Sequence, residues 1–199
     1  MHLQLKLLSF FIICFSFSFS CQLVQKEVHS ADGISLSEKN AKEIGCPIPL
    51  SIGTVYGTAL SKFDQTYLLS VIKVLLGDLC AGSFLHLPSL IHPEKGLYVD
   101  AKGYWTYREV EQDLSDPYGY FQVYYFDSKK LDKKKGSVGN LTVRDVFLSA
   151  KEVAVDLYVG SSEEIEVKFR FAENPKLERY LINPSFIKAE GKWYLLRMF

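Results

Sequence analysis

Leu68, Val71, Ile72, Leu75 and Leu79 recur at the i, i+3, i+4, i+7, i+11 spacing of one helical face. Leu69, Val74 and Leu76 widen that face, and Asp64 is of the type that caps a helix N-terminus, so the pattern predicts a helix from Asp64 to about Leu79. A surface this apolar has to be covered, which a curved sheet can do. Ala81-Gly82 breaks the periodicity, and Ser83 opens a second helical piece that Pro88 and Pro93 confine to about two turns.

Shorter patterns follow. Leu97 to Asp100 reads as a strand, and Gly103 marks a turn. Thr106-Tyr107-Arg108-Glu109 is a capping box opening a helix to Leu114. After the turn Asp116-Pro117-Tyr118-Gly119, Phe121 to Phe126 has strand composition, and Ser128 to Asn140 reads as a surface loop with solvated Lys129, Lys130, Lys133, Lys134 and Lys135. Thr142 caps a short helix to Ala150. Val153, Val155, Leu157 and Val159, then Ile165, Val167, Phe169 and Phe171, alternate with polar or smaller residues, as strands with one buried face do. Asn174-Pro175 turns the chain, Arg179 to Ala189 continues it with an interruption at Pro184, and Glu190-Gly191 makes a tight hairpin into Lys192 to Phe199. The hairpins predict an antiparallel meander.

The amino terminus follows another rule. Lys6 precedes a run of apolar residues and serines from Leu7 to Phe19, too short for an ordinary spanning helix and of signal-peptide length. Ser18-Phe19-Ser20-Cys21 puts small residues at −3 and −1 before a cysteine, and in this the chain resembles a bacterial lipoprotein. Ser18 stands where Leu, Val or Ile is commonest, a looseness similar to that of spirochaete lipoproteins. The resemblance implies a lipid on Cys21 and a cell-envelope location. Gln22 in place of Asp at +2 points to the outer membrane, as in well-studied diderm bacteria. A secreted or periplasmic protein cut at the same bond and an uncleaved anchor are the alternatives. The expected organisation is a signal peptide at 1–20, a polar tether at 21–49 and a domain at 50–199. The tether includes His29 and a short helical turn from Ser37 to Ile44.

Composition narrows the function classes. The chain has 199 residues, 48% of them hydrophobic, which suits one domain with a targeting segment. Lys and Arg total 23, as do Asp and Glu, so no net field attracts nucleic acid, and none is expected as a partner. Of four cysteines, Cys14 leaves with the signal and Cys21 takes the lipid. Cys46 and Cys80 remain, either paired or as two buried thiols. A bridge would close a loop of roughly 35 residues and contribute roughly 3 to 4 kcal/mol on the chain-entropy model.

No phosphate loop, paired-cysteine motif, metal-binding helix signature or nucleophile elbow is present. His86, His92, Asp100 and Asp156 are the residues to which acid/base work could fall. His86 reads as a satisfied core histidine, His92 as a turn former before Pro93, and Asp156 as a wet-face residue by alternation. No pair stands at telling spacing, so no catalytic residue, metal or cofactor is assigned. Tyr98, Tyr104, Trp105, Tyr107, Tyr118, Tyr120, Tyr124 and Tyr125 crowd one part of the chain, where rings could fill a core or rim a binding site. His92, Asp100, Tyr104, Trp105 and Tyr107 are the pocket or turn candidates.

An apolar helix, a broken second helix, the turn Ile91-His92-Pro93-Glu94-Lys95-Gly96-Leu97-Tyr98-Val99, a small helix and strands ending in Ala189-Glu190-Gly191-Lys192-Trp193-Tyr194-Leu195 together resemble the NTF2-like superfamily. The turn is also similar to one in uncharacterised bacterial envelope lipoproteins. The resemblance covers roughly residues 60 to 199. It implies an α+β fold in which a helix backs a curved antiparallel sheet to form a cystatin-like cone. Some members are enzymes with a polar pair inside the cone, and many have no catalysis, so the fold leaves activity open. A binding or structural module facing an envelope protein or small ligand is the leading expectation. A cone enzyme of lyase, isomerase or hydrolase type, or a surface protein contacting extracellular or host molecules, stand beside it.

Detergent phase partitioning checks the anchor. The wild type should enter the detergent phase and Cys21→Ala should stay aqueous or accumulate unprocessed; equal partitioning with the signal removed from both would show that no lipid is attached.

Overall fold

In the computed structural model of the protein, which describes residues 46–199, the long helix α1 (Lys62–Ala81) begins at Ser61 rather than Asp64. The Ser61 hydroxyl accepts from the Asp64 N–H at 3.0 Å and donates to its carboxylate at 2.7 Å. Gly82 ends the helix in the left-handed conformation, φ 80°. Leu68, Val71, Ile72, Leu75, Leu76 and Leu79 are buried as expected, whereas Val74 is 38% exposed, so the buried stripe is narrower than its apolar residues suggest. The signal peptide, Cys21, His29, the Ser37 to Ile44 turn and the tether up to residue 45 lie outside the described residues.

A strand that the pattern left unassigned, β1 (Leu50–Gly57), precedes α1. The second helical piece is only α2 (Leu87–Leu90), a single turn. Two short strands follow, β2 (Leu97–Tyr98) and β3 (Tyr104–Trp105). Next comes α3 (Tyr107–Leu114), with both bonds of the Thr106 and Glu109 capping box formed.

Two expectations fail in the next stretch. Phe121 to Phe126 is not a strand: Gln122–Phe126 is a π-helical turn. The lysine-rich stretch is not a loop but α4 (Ser128–Lys135), capped by Asp127, anchored by buried Leu131 and ended by Gly136 at φ 68°. Lysine is a good helix former, and three lysines in the last turn suit the negative end of the helix dipole. α5 (Val143–Leu148) starts at its own capping box, Thr142 with Asp145.

The strands β4 (Val153–Val159) and β5 (Glu164–Arg170) keep the predicted alternation, pairing Val155 with Phe169 and Leu157 with Val167. Arg179 does not begin a strand. Pro175–Tyr180 is a 3₁₀ turn, and Pro184, which cannot donate to a ladder, delays β6 to Ser185–Ala189. Glu190 and Gly191, at φ 53° and 77°, make the tight turn into β7 (Lys192–Arg197).

The strand order is β1-β4-β5-β6-β7-β2-β3. β4 to β7 form the expected antiparallel meander, but β1 joins β4 and β2 joins β7 in parallel, so the seven-strand sheet is mixed, curved and unclosed. One apolar cluster holds the α1 stripe together with Val155, Leu157, Ile165, Val167, Phe186, Trp193 and Leu195.

One covalent and two polar devices fix the edges of this core. Cys46 and Cys80 form a disulfide, with Cα atoms 5.9 Å apart, that ties the chain before β1 to the last turn of α1. Ile48 is buried and the Pro49 carbonyl accepts from the Val153 N–H at 3.0 Å, so packing reaches back into the segment expected as tether.

Asp156 is not a wet-face residue. It is 6% exposed, accepts from the Thr54 N–H at 2.8 Å in the irregular part of β1 and pairs with Arg170 at 2.8 Å. Burial pushes its carboxyl pKa up, and the Thr54 N–H and Arg170 outweigh that, leaving it below the ordinary value. Gly53 leaves the space: a Cβ there would strike the Asp156 carboxylate.

At the other end of α1, the buried Trp193 donates from Nε1 to Asp64 at 2.7 Å, and Lys188 Nζ reaches the same carboxylate at 2.9 Å. With Ser61 they hold Asp64 at about 2, below its ordinary 3.8. A carboxyl depressed in the folded state stabilises fully above its unfolded pKa, and that stability disappears as pH falls through the folded one. Asp64→Ala should therefore cost about 2 to 4 kcal/mol at neutral pH in urea unfolding, with the gap to wild type closing between pH 4 and pH 2. A gap unchanged across that window would contradict the assignment.

Candidate functional site

The β2 to β3 corner gathers the residues singled out from sequence, and most of them build turns. The His92 ring stands edge-on to Tyr194 at 5.0 Å, its Nδ1 accepts from the Glu94 N–H at 3.2 Å, and its carbonyl accepts from Lys95 and Gly96. Gly96, at φ 59°, lies where a Cβ would strike the Trp105 carbonyl. Asp100 accepts from the N–H groups of Lys102 at 2.7 Å and Gly103 at 2.6 Å, which hold its carboxyl below the ordinary value. Tyr104 is exposed and edge-on to Tyr98 at 5.4 Å. Trp105 is half-buried against Tyr120 and Phe121, and its outer side joins Glu109 and Asp113 in a broad, open depression. Tyr107 is half-buried, its phenol pKa raised by burial and then by Glu111.

His86 is satisfied but not in the core. Asp78, buried at the end of α1, accepts from the His86 N–H at 2.8 Å and from Nδ1 at 2.7 Å, while the His86 side chain is 56% exposed. A carboxylate orienting an accessible imidazole is half of a general-base arrangement. The nearby Ser89 hydroxyl donates to the His86 carbonyl at 2.8 Å and not to the ring. The contact braces the break after α1.

A second aromatic site lies beyond this corner and begins with Asp113. Its carboxylate accepts from the N–H groups of Tyr120 at 2.7 Å and Phe121 at 2.9 Å, satisfying donors that a helix start leaves free. The chain therefore coils where its composition favours a strand, and the Asp127 N–H reaches back to the Gln122 carbonyl at 3.0 Å, the wide span of a π turn. Phe121 and Tyr125 point into the core. Tyr125 packs against Phe84 at 5.2 Å and Phe199 at 6.0 Å, and its hydroxyl donates to the Phe199 carbonyl. Tyr120 and Tyr124 overlap at 4.6 Å on the flank of the turn, and the Tyr120 hydroxyl donates to Val99 at 3.1 Å.

These tyrosines form one wall of a cavity of about 390 Å³. α4 contributes Leu131 and Lys135, the loop into α5 contributes Leu141, and the 3₁₀ turn and its exit contribute Arg179, Tyr180 and Ile182. The volume lies in the range of small-molecule pockets, and the lining is the usual mixture of apolar surface with a few polar groups. Burial first, then the charges of Asp100 and neighbouring groups, pushes Tyr120 up to about 12, and burial raises Tyr125 well above its ordinary value. Both phenols stay neutral at physiological pH.

Lys134 and Lys135 sit over the Tyr124 ring at 5.5 and 5.4 Å, and Arg179 over Tyr180 at 5.0 Å. Among the described residues these cations are in no ion pair; the lysines and arginines that are paired lie elsewhere. No group of three His, Cys, Asp or Glu among the described residues is placed to hold a metal ion, and no described helix is long and apolar enough to cross a membrane. The aromatic crowding flagged Tyr120, Tyr124 and Tyr125, and the lysine run flagged Lys135. Nothing local to Arg179, Tyr180 or Ile182 linked them to those residues. In comparisons with protein-family models, curated proteins and solved structures, nothing matches the chain.

Asp113 is the support to remove. Asp113→Ala leaves two N–H groups without their acceptor and should cost about 2 to 4 kcal/mol in chemical denaturation. Asp116→Ala, which frees only the exposed Tyr118 N–H, should cost about 1 kcal/mol or less. Equal effects would contradict the role given to Asp113.

Proposed function

We propose that the protein is a lipid-anchored module of the cell envelope whose domain binds a small amphipathic molecule in the tyrosine-lined cavity. The cavity carries this reading: Tyr120, Tyr124 and Tyr125 at the π turn and Tyr180 at the 3₁₀ turn, distant in sequence, line the same space of about 390 Å³. Rings of this type combine an apolar body with a polar tip and suit ligands that have both. The curved, unclosed sheet with an apolar helix in the same core supports an NTF2-like cone as the finer description of the fold. On this reading acyl chains on Cys21 hold the domain at a membrane, with the outer membrane as destination. No catalytic step is assigned.

Titration of the mature full-length chain with the uncharged dye phenylnaphthylamine tests the binding claim by fluorescence. The wild type should bind one dye molecule. Ile182→Trp, which fills the cavity from its wall, should weaken binding by about tenfold or more while leaving the unfolding transition in place. Absence of binding to the wild type, or undiminished binding to a folded Ile182→Trp, would sink the proposal.

A further inference from the structure

The charged side chains that line the cavity share one sign. Lys135 and Arg179 line it and Lys134 adjoins it, and no carboxylate side chain belongs to the lining. The acidic residue one turn before Lys135 on α4, Asp132, is engaged with Asn140, whose side chain donates at 2.7 Å and backbone N–H at 2.9 Å, and with Gly139 at 3.1 Å. Asp132 forms no ion pair with Lys134 or Lys135. The Phe199 main-chain oxygen, at the inner end, accepts from the Tyr125 hydroxyl.

The aromatic faces decide between ligand charges. A ring of tyrosines can recognise a cation when the π faces are open. Here the Tyr124 face is shared by Lys134 and Lys135 and the Tyr180 face is covered by Arg179, so a cationic ligand would meet three charges of its own sign. Stacking also holds these flexible side chains near the cavity and lowers the ordering cost of using them. Arginine adds a planar donor fork that matches the oxygens of a carboxylate, sulfonate or phosphate. The Arg179 Nη2 group already donates to the Tyr180 hydroxyl at 3.0 Å, which fixes the plane of that fork.

Resting on the binding reading above, we propose that the ligand is an organic anion with a planar apolar body, its anionic end held by Lys135 and Arg179 and its body against Tyr120 and Tyr124. The neutral phenols inside favour this polarity, since ionised ones would repel the ligand.

The probes are anilinonaphthalenesulfonate and phenylnaphthylamine, dyes of the same planar body with and without the sulfonate, titrated into the mature full-length chain. At low salt the sulfonate should bind the wild type about tenfold more tightly than the neutral dye, with an advantage that shrinks as salt is added. Lys135→Ala combined with Arg179→Ala should remove that advantage, so that the two dyes bind with affinities within about twofold of each other. Lys135→Arg should retain the advantage. Equal affinity of the two dyes for the wild type, or an advantage that survives the double substitution, overturns the anion assignment while leaving the binding module intact. Sulfonate binding at several sites, indifferent to Ile182→Trp, also overturns it. If neither dye binds, both proposals fall.

Discussion

Covering α1 is the constraint on which the rest of the fold depends. Leu68, Val71, Ile72, Leu75, Leu76 and Leu79 are all buried, and each such side chain contributes about 1.5 to 3 kcal/mol when removed from water. No single hairpin could cover that surface, so the inward residues of β4, β5, β6 and β7 are recruited into one cluster with it. The two ends of the helix are then tied by unlike means. At its start, Asp64 receives Trp193 and Lys188 from the last hairpin; at its end, Cys80 is bonded to Cys46. The remaining end of the core is closed by rings, with Phe147 against Phe169 at 4.9 Å and against Phe199 at 5.5 Å.

Features fixed by local chemistry were legible in the sequence. The Thr106 and Glu109 capping box, the alternation through Val155 and Leu157, and the Glu190-Gly191 turn depend on residues within a few positions of one another, and each forms as read. What was not legible depends on distant or side-chain partners. Phe121 to Phe126 has strand composition, but the carboxylate of Asp113 takes the two N–H groups that start its coil. The Lys129 to Lys135 stretch reads as a solvated loop by charge, although Asp127, Leu131 and Gly136 supply a cap, an anchor and a stop. Asp156 alternates onto the outer face as expected, yet Thr54 and Arg170 cover it there.

The same distinction explains the site. His92 and Asp100 carry distinctive local chemistry, and that chemistry is spent on turns: each accepts backbone N–H groups two or three residues ahead. The cavity joins Tyr120, Tyr124 and Tyr125, whose crowding is visible in the sequence, to Arg179, Tyr180 and Ile182, which are unremarkable in their own neighbourhood. Its geometry comes from a π turn, a rare arrangement and one often found at functional sites. Asp113, Tyr125 and the packing of Phe84 hold that turn in place, and so turn core packing into a binding surface on its flank.

Tyrosine ring resonances in the mature chain, followed by NMR as phenylnaphthylamine is added, test the account's central claim most directly. Tyr120, Tyr124, Tyr125 and Tyr180 line the cavity, while Tyr56 and Tyr158 stack on each other at 4.7 Å and belong to a different surface. The account predicts saturable shifts confined to the first group, with Tyr56 and Tyr158 unmoved. Shifts centred on Tyr56 and Tyr158, or none at a dye concentration that saturates fluorescence, would contradict it.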